Sequence, residues 1–197
     1  MPKSSRSKTR SRKARLLSSR EVYHGPAFTV TADEVLEPSG VRTHREIVHH
    51  SGSVVILAVD DSDKHADPRV LLERQYRHAA QQTLWELPAG RIDRGEKGLA
   101  AAKRELLEET GYTAARWKRI LSFYASPGFL AETMDIYSAH GLRRGEAQPE
   151  ADEFIRSRMV PLSTAVGMVM KGAIRDAKTI CGVLWLNQSR RGSKPHQ

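Results

Sequence analysis

Residues 90–112 read GRIDRGEKGLAAAKRELLEETGY, and the rest of the chain is organised around them. From Leu99 to Thr110 there is no Pro or Gly, and Ala, Leu, Glu, Lys and Arg dominate, so this part is predicted as helix. Gly111 stands where a helix-ending glycine is expected. At about 100° per residue, Leu99, Ala102 and Leu106 share one face, the expected core stripe. Glu105, Glu108 and Glu109 share a neighbouring arc, because positions three and four apart are neighbours on a helix. Glu96 precedes the helix in a turn marked by Gly95 and Gly98.

Carboxylates on one arc repel each other, at a cost of roughly 0.2–0.5 kcal/mol per pair on an exposed helix. A divalent cation would turn that repulsion into binding energy. Carboxylate-only ligation suits a hard ion such as Mg²⁺ or Mn²⁺, which also favours phosphate oxygens. Arg104 lies one turn before Glu108 and is placed to pair with it. Taken alone, such a cluster is more often a solvated acidic helix face than a metal site.

The whole spacing narrows the choice. Gly90, five residues, Glu96, seven residues, Arg104-Glu105, an apolar residue, any residue, Glu108-Glu109, any residue and Gly111 together resemble the signature of the Nudix hydrolases. Tyr112, where that family usually carries an aliphatic residue, is a mild departure. The resemblance implies a loop–helix–loop that binds Mg²⁺ and cleaves a nucleoside diphosphate linked to another moiety. It also implies an α/β fold: a Nudix-type α/β/α sandwich with a mixed sheet, here preceded by an N-terminal strand segment.

Outside the box, composition sets limits. The chain has 197 residues, 39% hydrophobic and 28% charged, enough for one domain with a real core. No apolar run approaches the roughly 20 residues of a membrane span. A single cysteine, Cys181, allows no internal disulfide, which agrees with a reducing compartment, and a cytoplasmic location is expected. The apolar neighbours of Cys181 predict that it is buried. His49-His50 is expected as a strand-end pair, and no His/Cys cluster has zinc spacing. The net charge is +9, but residues 1–20 carry eight Lys and Arg and no acid, leaving +1 for the remainder.

Residues 1–20 are therefore expected as a disordered basic tail, either solvated or in contact with a polyanion such as nucleic acid. An organellar transit peptide fits less well, because the first fifteen residues have no apolar face. Residues 21–50 are expected as a strand segment turning at Pro38-Ser39-Gly40. Ser53–Val59 has the continuous apolar character of a buried strand, followed by a strand at Val70–Arg77, while Leu84–Leu87 leads into Pro88-Ala89-Gly90. Beyond the box, strands are predicted at Trp117–Ala125, Met134–Ala139 and Glu153–Val160, with a polar loop over Gly141–Asp152. Helices are predicted over Ser163–Lys171 and Asp176–Asn187, with Ser163 and Asp176 as N-caps. The hydrolase domain is expected to span 51–188, leaving 189–197 as a basic C-terminal tail.

The substrate must be sought outside the box. LLERQYRHA (71–79), LWELPAGRID (84–93), FYASPGFLAE (123–132), DEFI (152–155) and DAKTI (176–180) resemble the ADP-ribose pyrophosphatase, or ADP-sugar diphosphatase, branch of the Nudix hydrolases, and Pro127 stands where that branch usually has a proline. The resemblance covers about Tyr23 to Leu186. It implies Mg²⁺, with Mn²⁺ as an alternative, two or three ions per site, held by Glu105, Glu109, Glu153 and the Ala89 carbonyl. Glu108 would take an ion or its bound water, and Arg104 would fix Glu108. The ions would clamp the pyrophosphate and activate water for in-line attack. Glu150 is the candidate general base, with Asp152 as the alternative in an uncertain loop register. Arg77 would contact phosphate, Glu132 the terminal ribose, and Phe28 the adenine from a partner subunit; Arg45 and Glu86 are further candidates, or else plain strand-surface charges. Residues 21–50 match the branch's dimerisation segment, so a homodimer is implied. The leading expectation is hydrolysis of ADP-ribose to AMP and ribose 5-phosphate. ADP-glucose or GDP-mannose is the nearest alternative substrate, and a Nudix-fold nucleic-acid-binding protein the more distant one.

Overall fold

The structure is a computed structural model that describes residues 13–63, 67–146 and 155–192. It divides into two units, one reaching His50 and including Ser126–Glu132, the other formed by Ser51–Ala125 and the described residues from Thr133 onward.

In the first unit, β1 (Arg15–His24), β2 (Thr29–Leu36) and β3 (Arg42–His49) form an antiparallel sheet in that order. Gly40, with φ 87°, closes the β2–β3 turn by donating its N–H to Glu37 O at 2.9 Å. Residues 126–132 attach to β3 through Val48, whose N–H donates to Phe129 O and whose carbonyl accepts from Ala131 N–H. His49 ends β3 and bonds Thr31 Oγ1 at 2.9 Å, as a strand-end histidine.

One expectation fails here. Residues 15–20 are not tail but the first half of β1, paired from Arg15↔Leu36 to Arg20↔Ala32. An edge strand needs backbone partners on one side only. Its side chains stay mostly exposed, so no apolar alternation marks it.

The second unit is built on β4 (Ser53–Asp60), whose residues from Ser53 to Val59 are all buried. β5 (Arg69–Arg77), β6 (Gln82–Glu86) and β7 (Ala89–Arg91) follow, then helix α1 (Gly98–Thr110), β8 (Tyr112–Tyr124), β9 (Thr133–Arg144), β10 (Arg156–Pro161), and helices α2 (Leu162–Met170) and α3 (Ala177–Gly192). The sheet order is β10-β5-β4-β9-β8, with β6 on β5 and β7 on β4. β4 and β9 are parallel and the other pairs antiparallel, so the sheet is mixed.

The two-residue period of β4 gives each face its own core. Val54, Ile56 and Ala58 pack with Ala101, Ala102 and Leu106 of α1. Val55, Leu57 and Val59 pack with Leu162 and Ala165 of α2 and Val183 and Leu186 of α3. The unit is thus the expected α/β/α sandwich. Among the described residues, no helix is long and apolar enough to cross a membrane.

Several local expectations are corrected. Leu99 is 39% exposed, and the buried stripe of α1 runs through Ala101, Ala102 and Leu106 instead. Strand β9 continues through Arg144, into the stretch expected as loop, because β8 pairs with it up to Tyr112↔Arg144. Ser163 is not an N-cap: Pro161 holds that position, and Asp67 Oδ2 accepts both the Ser163 N–H and its hydroxyl. Asp176 caps α3 as expected, accepting the Thr179 N–H at 3.0 Å. Cys181 is exposed, since α3 buries Val183 and Leu186 rather than its own position. Helix α3 also runs through 189–192, expected as the start of a tail.

Candidate active site

The loop and helix of residues 90–111 are brought together by β4. Strand β7 pairs with it at Val55↔Ala89 and Val54↔Gly90, and Ile56 N–H donates to Pro88 O at 2.8 Å. Since α1 packs on the same strand, the Ala89–Gly90 backbone lies against the acidic arc of the helix. Ala89 N–H donates to Glu109 Oε2 at 3.1 Å. Glu109 is only 6% exposed. A Cβ on Gly90 would stand 2.0 Å from the Glu105 carboxyl carbon, so only glycine leaves room for that carboxylate. At the far end Gly111, with φ 72°, closes the helix by donating to Leu107 O at 2.8 Å.

Arg104 is the hub of the remaining acids. Its Nη1 donates to Glu105 Oε1 at 2.7 Å and to the expected partner, Glu108 Oε2, at 3.0 Å. Its Nε and Nη2 donate to the two oxygens of Glu96 at 3.2 and 3.1 Å, and Nη2 also reaches Arg91 O. The Arg104 hydrogen bonds hold the Glu96 carboxyl below its usual range. Hydrogen bonding to Glu96, then to Glu105 and Glu108, raises the guanidinium in turn. One cation therefore holds Glu96, Glu105 and Glu108 at fixed spacing.

This donor set fits a hard divalent cation in kind. It offers only carboxylate and backbone oxygens, and Glu105 occupies room that a side chain at residue 90 would fill. Among the described residues, however, no three His, Cys, Asp or Glu groups gather closely enough to hold a metal. Glu150, Asp152 and Glu153, expected to contribute from the late loop, lie outside the described residues.

The NUDIX domain model matches residues 49–182. The chain belongs to the Nudix family. It is 35% identical to an ADP-ribose pyrophosphatase of Bacillus subtilis (strain 168), covering 86% of this chain and 90% of that protein. It is 37% identical to an ADP-ribose pyrophosphatase of Mycobacterium tuberculosis (strain ATCC 25618 / H37Rv), covering 85% and 80%. A solved structure described as an ADP compounds hydrolase superposes with TM-score 0.79 at 22% identity, covering 94% of this chain and 98% of that one, and shares the fold.

The other expected site residues of this Nudix protein fall into two groups. Arg77 and Glu86 meet beside the box: Arg77 Nε and Nη2 donate to the two Glu86 oxygens at 2.9 and 3.0 Å. Glu86 is no surface charge, being 1% exposed. Burial pushes its carboxyl up, but Arg77 and Lys178 outweigh burial and leave it below its ordinary value. The bond to Glu86 raises Arg77, with Glu73 and Glu109 adding to the effect. Phe28, Arg45 and Glu132 belong to the first unit. There Phe28 packs on Tyr23 with ring centroids 5.3 Å apart, Arg45 pairs with Glu37 at 2.7 Å, and Glu132 pairs with His50 at 3.5 Å.

Sequence reasoning assigned no role to Lys178, the second cation on Glu86. Its neighbour Thr179 accepts the Leu87 N–H at 2.7 Å, tying α3 to the strand end before the loop. The signal was the DAKTI segment itself, where a Lys lies between a capping Asp and a Thr.

Proposed function

We propose that the protein hydrolyses the pyrophosphate bond of ADP-ribose, adding water across it to release AMP and ribose 5-phosphate. The observation that carries this reading is the similarity to two ADP-ribose pyrophosphatases over more than four-fifths of the chain, well beyond the box. Mg²⁺, or Mn²⁺ in its place, is the proposed cofactor at two or three ions per site. Glu105, Glu108, Glu109, the Ala89 carbonyl and Glu153 are its proposed ligands. Bound there, such ions neutralise the pyrophosphate and activate water.

The chain's own residues supply the rest. Arg104 holds Glu105 and Glu108 in place. Arg77 offers a guanidinium to a phosphate, a match in charge and planar geometry. Glu150, or Asp152 in the other register, takes the proton of the attacking water. Glu132 contacts the terminal ribose and Phe28 the adenine. Glu86 acts on the substrate through Arg77. We further propose that the hydrolase domain, expected over 51–188, extends to the end of α3, and that residues 21–50, together with the rest of β1, mediate a homodimer.

A panel of ADP-ribose, ADP-glucose and GDP-mannose, each with Mg²⁺ and with excess chelator, tests this. The expected result is AMP and ribose 5-phosphate from ADP-ribose, highest kcat/KM for that substrate, and no turnover with chelator. Preference for another nucleotide sugar would move the assignment to that substrate. Inactivity on all three would overturn it.

A further inference from the structure

Glu86 sits at the end of β6 with one buried carboxylate and two cations. Arg77 takes both oxygens, and the Lys178 ammonium also donates to Oε2. Lys178 is itself 8% exposed, and its second partner is Asp176 Oδ1 at 3.0 Å. Of the two cations, Arg77 is the accessible one, its side chain 38% exposed. Burying a lysine ammonium is costly, so its position calls for a reason. Anchoring α3 is not a sufficient one. Asp176 caps that helix, and Thr179 ties it to Leu87, through bonds that do not involve Lys178.

Charge supplies the reason. Arg77 stands among acids, with Glu86 bonded to it and Glu73 and Glu109 raising its pKa through space. With Arg77 as its sole cation, Glu86 would neutralise the guanidinium and hold it tightly. A phosphate would then approach a locally negative surface. A second cation on the same carboxylate divides that hold and returns positive character to Arg77.

We propose that Lys178 is a positioning residue for substrate binding: by sharing Glu86 with Arg77, it leaves the Arg77 guanidinium enough positive charge to engage a substrate phosphate while still bonded to Glu86. The inference rests on the reading of Arg77 as a phosphate contact. It makes Lys178 a determinant of affinity that need not touch the substrate.

The test is steady-state kinetics on ADP-ribose at saturating Mg²⁺ for Lys178→Met, Lys178→Gln and the double variant Lys178→Gln/Glu86→Gln, with thermal unfolding as a fold check. Each single variant should raise KM about tenfold, the scale of one charge-assisted hydrogen bond. Because Arg77 holds phosphate in ground and transition states alike, kcat should stay within about threefold. The double variant removes the excess negative charge as well, so its KM should fall back toward wild type from that of Lys178→Gln, by about threefold or more. A merely structural lysine gives a different pattern: the second substitution would add damage instead of repairing it. If Lys178→Met does not fold, the Gln pair carries the comparison. Unchanged KM in the folded single variants, or a raised KM that Glu86→Gln does not restore, overturns the proposal. A wild-type protein inactive on every nucleotide sugar would instead overturn the functional reading beneath it.

Discussion

Two clusters of acid and cation flank the Ala89–Gly90 loop, built on opposite plans. Around Arg104, one partly exposed cation serves Glu96, Glu105 and Glu108, all within thirteen residues of chain. Around Glu86, one buried anion serves two cations, and Lys178 lies 92 residues away. The first has a surplus of carboxylates over its one guanidinium. The second pairs its charges inside the protein. What an ion cluster does follows from which sign is in excess and how far water is excluded.

The contrast can be broken most forcefully at its buried member. Glu86→Leu leaves two cations without their shared carboxylate, and should destabilise the protein by about 3–5 kcal/mol. Adding Lys178→Met should recover part of that, since a buried ion pair is often replaceable by apolar groups. Urea unfolding of both variants checks this; a loss below about 1 kcal/mol for Glu86→Leu would mean that water reaches the cluster.

Next in size is the loop contact that the exposed cluster depends on. Gly90→Ala meets the mobile end of a glutamate side chain rather than backbone, so the fold should survive while Glu105 is displaced. Turnover should fall by about 10²-fold, the scale of losing one preorganised electrostatic group. Turnover near wild type would show that Glu105 does not need its present position.

The smallest effect is expected at the hub. Arg104→Met should change stability by no more than about 1 kcal/mol at neutral pH, as its pairs are partly solvated. The sign with pH follows from Glu96, whose folded pKa lies below its ordinary 4.5. The stability from Arg104 is therefore complete above that value, and is lost as pH falls through the lower, folded pKa. Wild type and variant should converge in acid unfolding. A difference that persisted at low pH would place the contribution of Arg104 in packing rather than charge.

The same contrast governs how much could be read before the structure. Within the box, spacing along one helix is enough to put Glu105, Glu108 and Glu109 on one arc and Arg104 against Glu108. Gly111 follows from helix-ending geometry just as directly. The buried strand β4 was equally legible, because a continuous apolar run needs no partner to be identified. Glu86 was not. A charged residue in a strand looks like a surface group until its distant partners are known, and Lys178 comes from helix α3. β1 escaped for the opposite reason: backbone pairing at a sheet edge leaves little trace in side-chain polarity. Ser163 was misplaced because Asp67, across the fold, outcompetes it.

The parallel pairing of β4 with β9 joins Ser53 to Met134, with α1 in the connection between them. Such a ladder closes a long loop, and folding must meet that entropy before any contact rewards it. Helix α1 needs only contiguous residues for its own hydrogen bonds, whereas the apposition of Gly90 and Glu105 requires β7 on β4 and α1 packed against the same strand. A half-folded chain can thus carry the acidic helix without carrying the site. Cation binding that draws Glu105 and the loop together would favour the finished sheet over its precursors, making the ligand a late participant in folding.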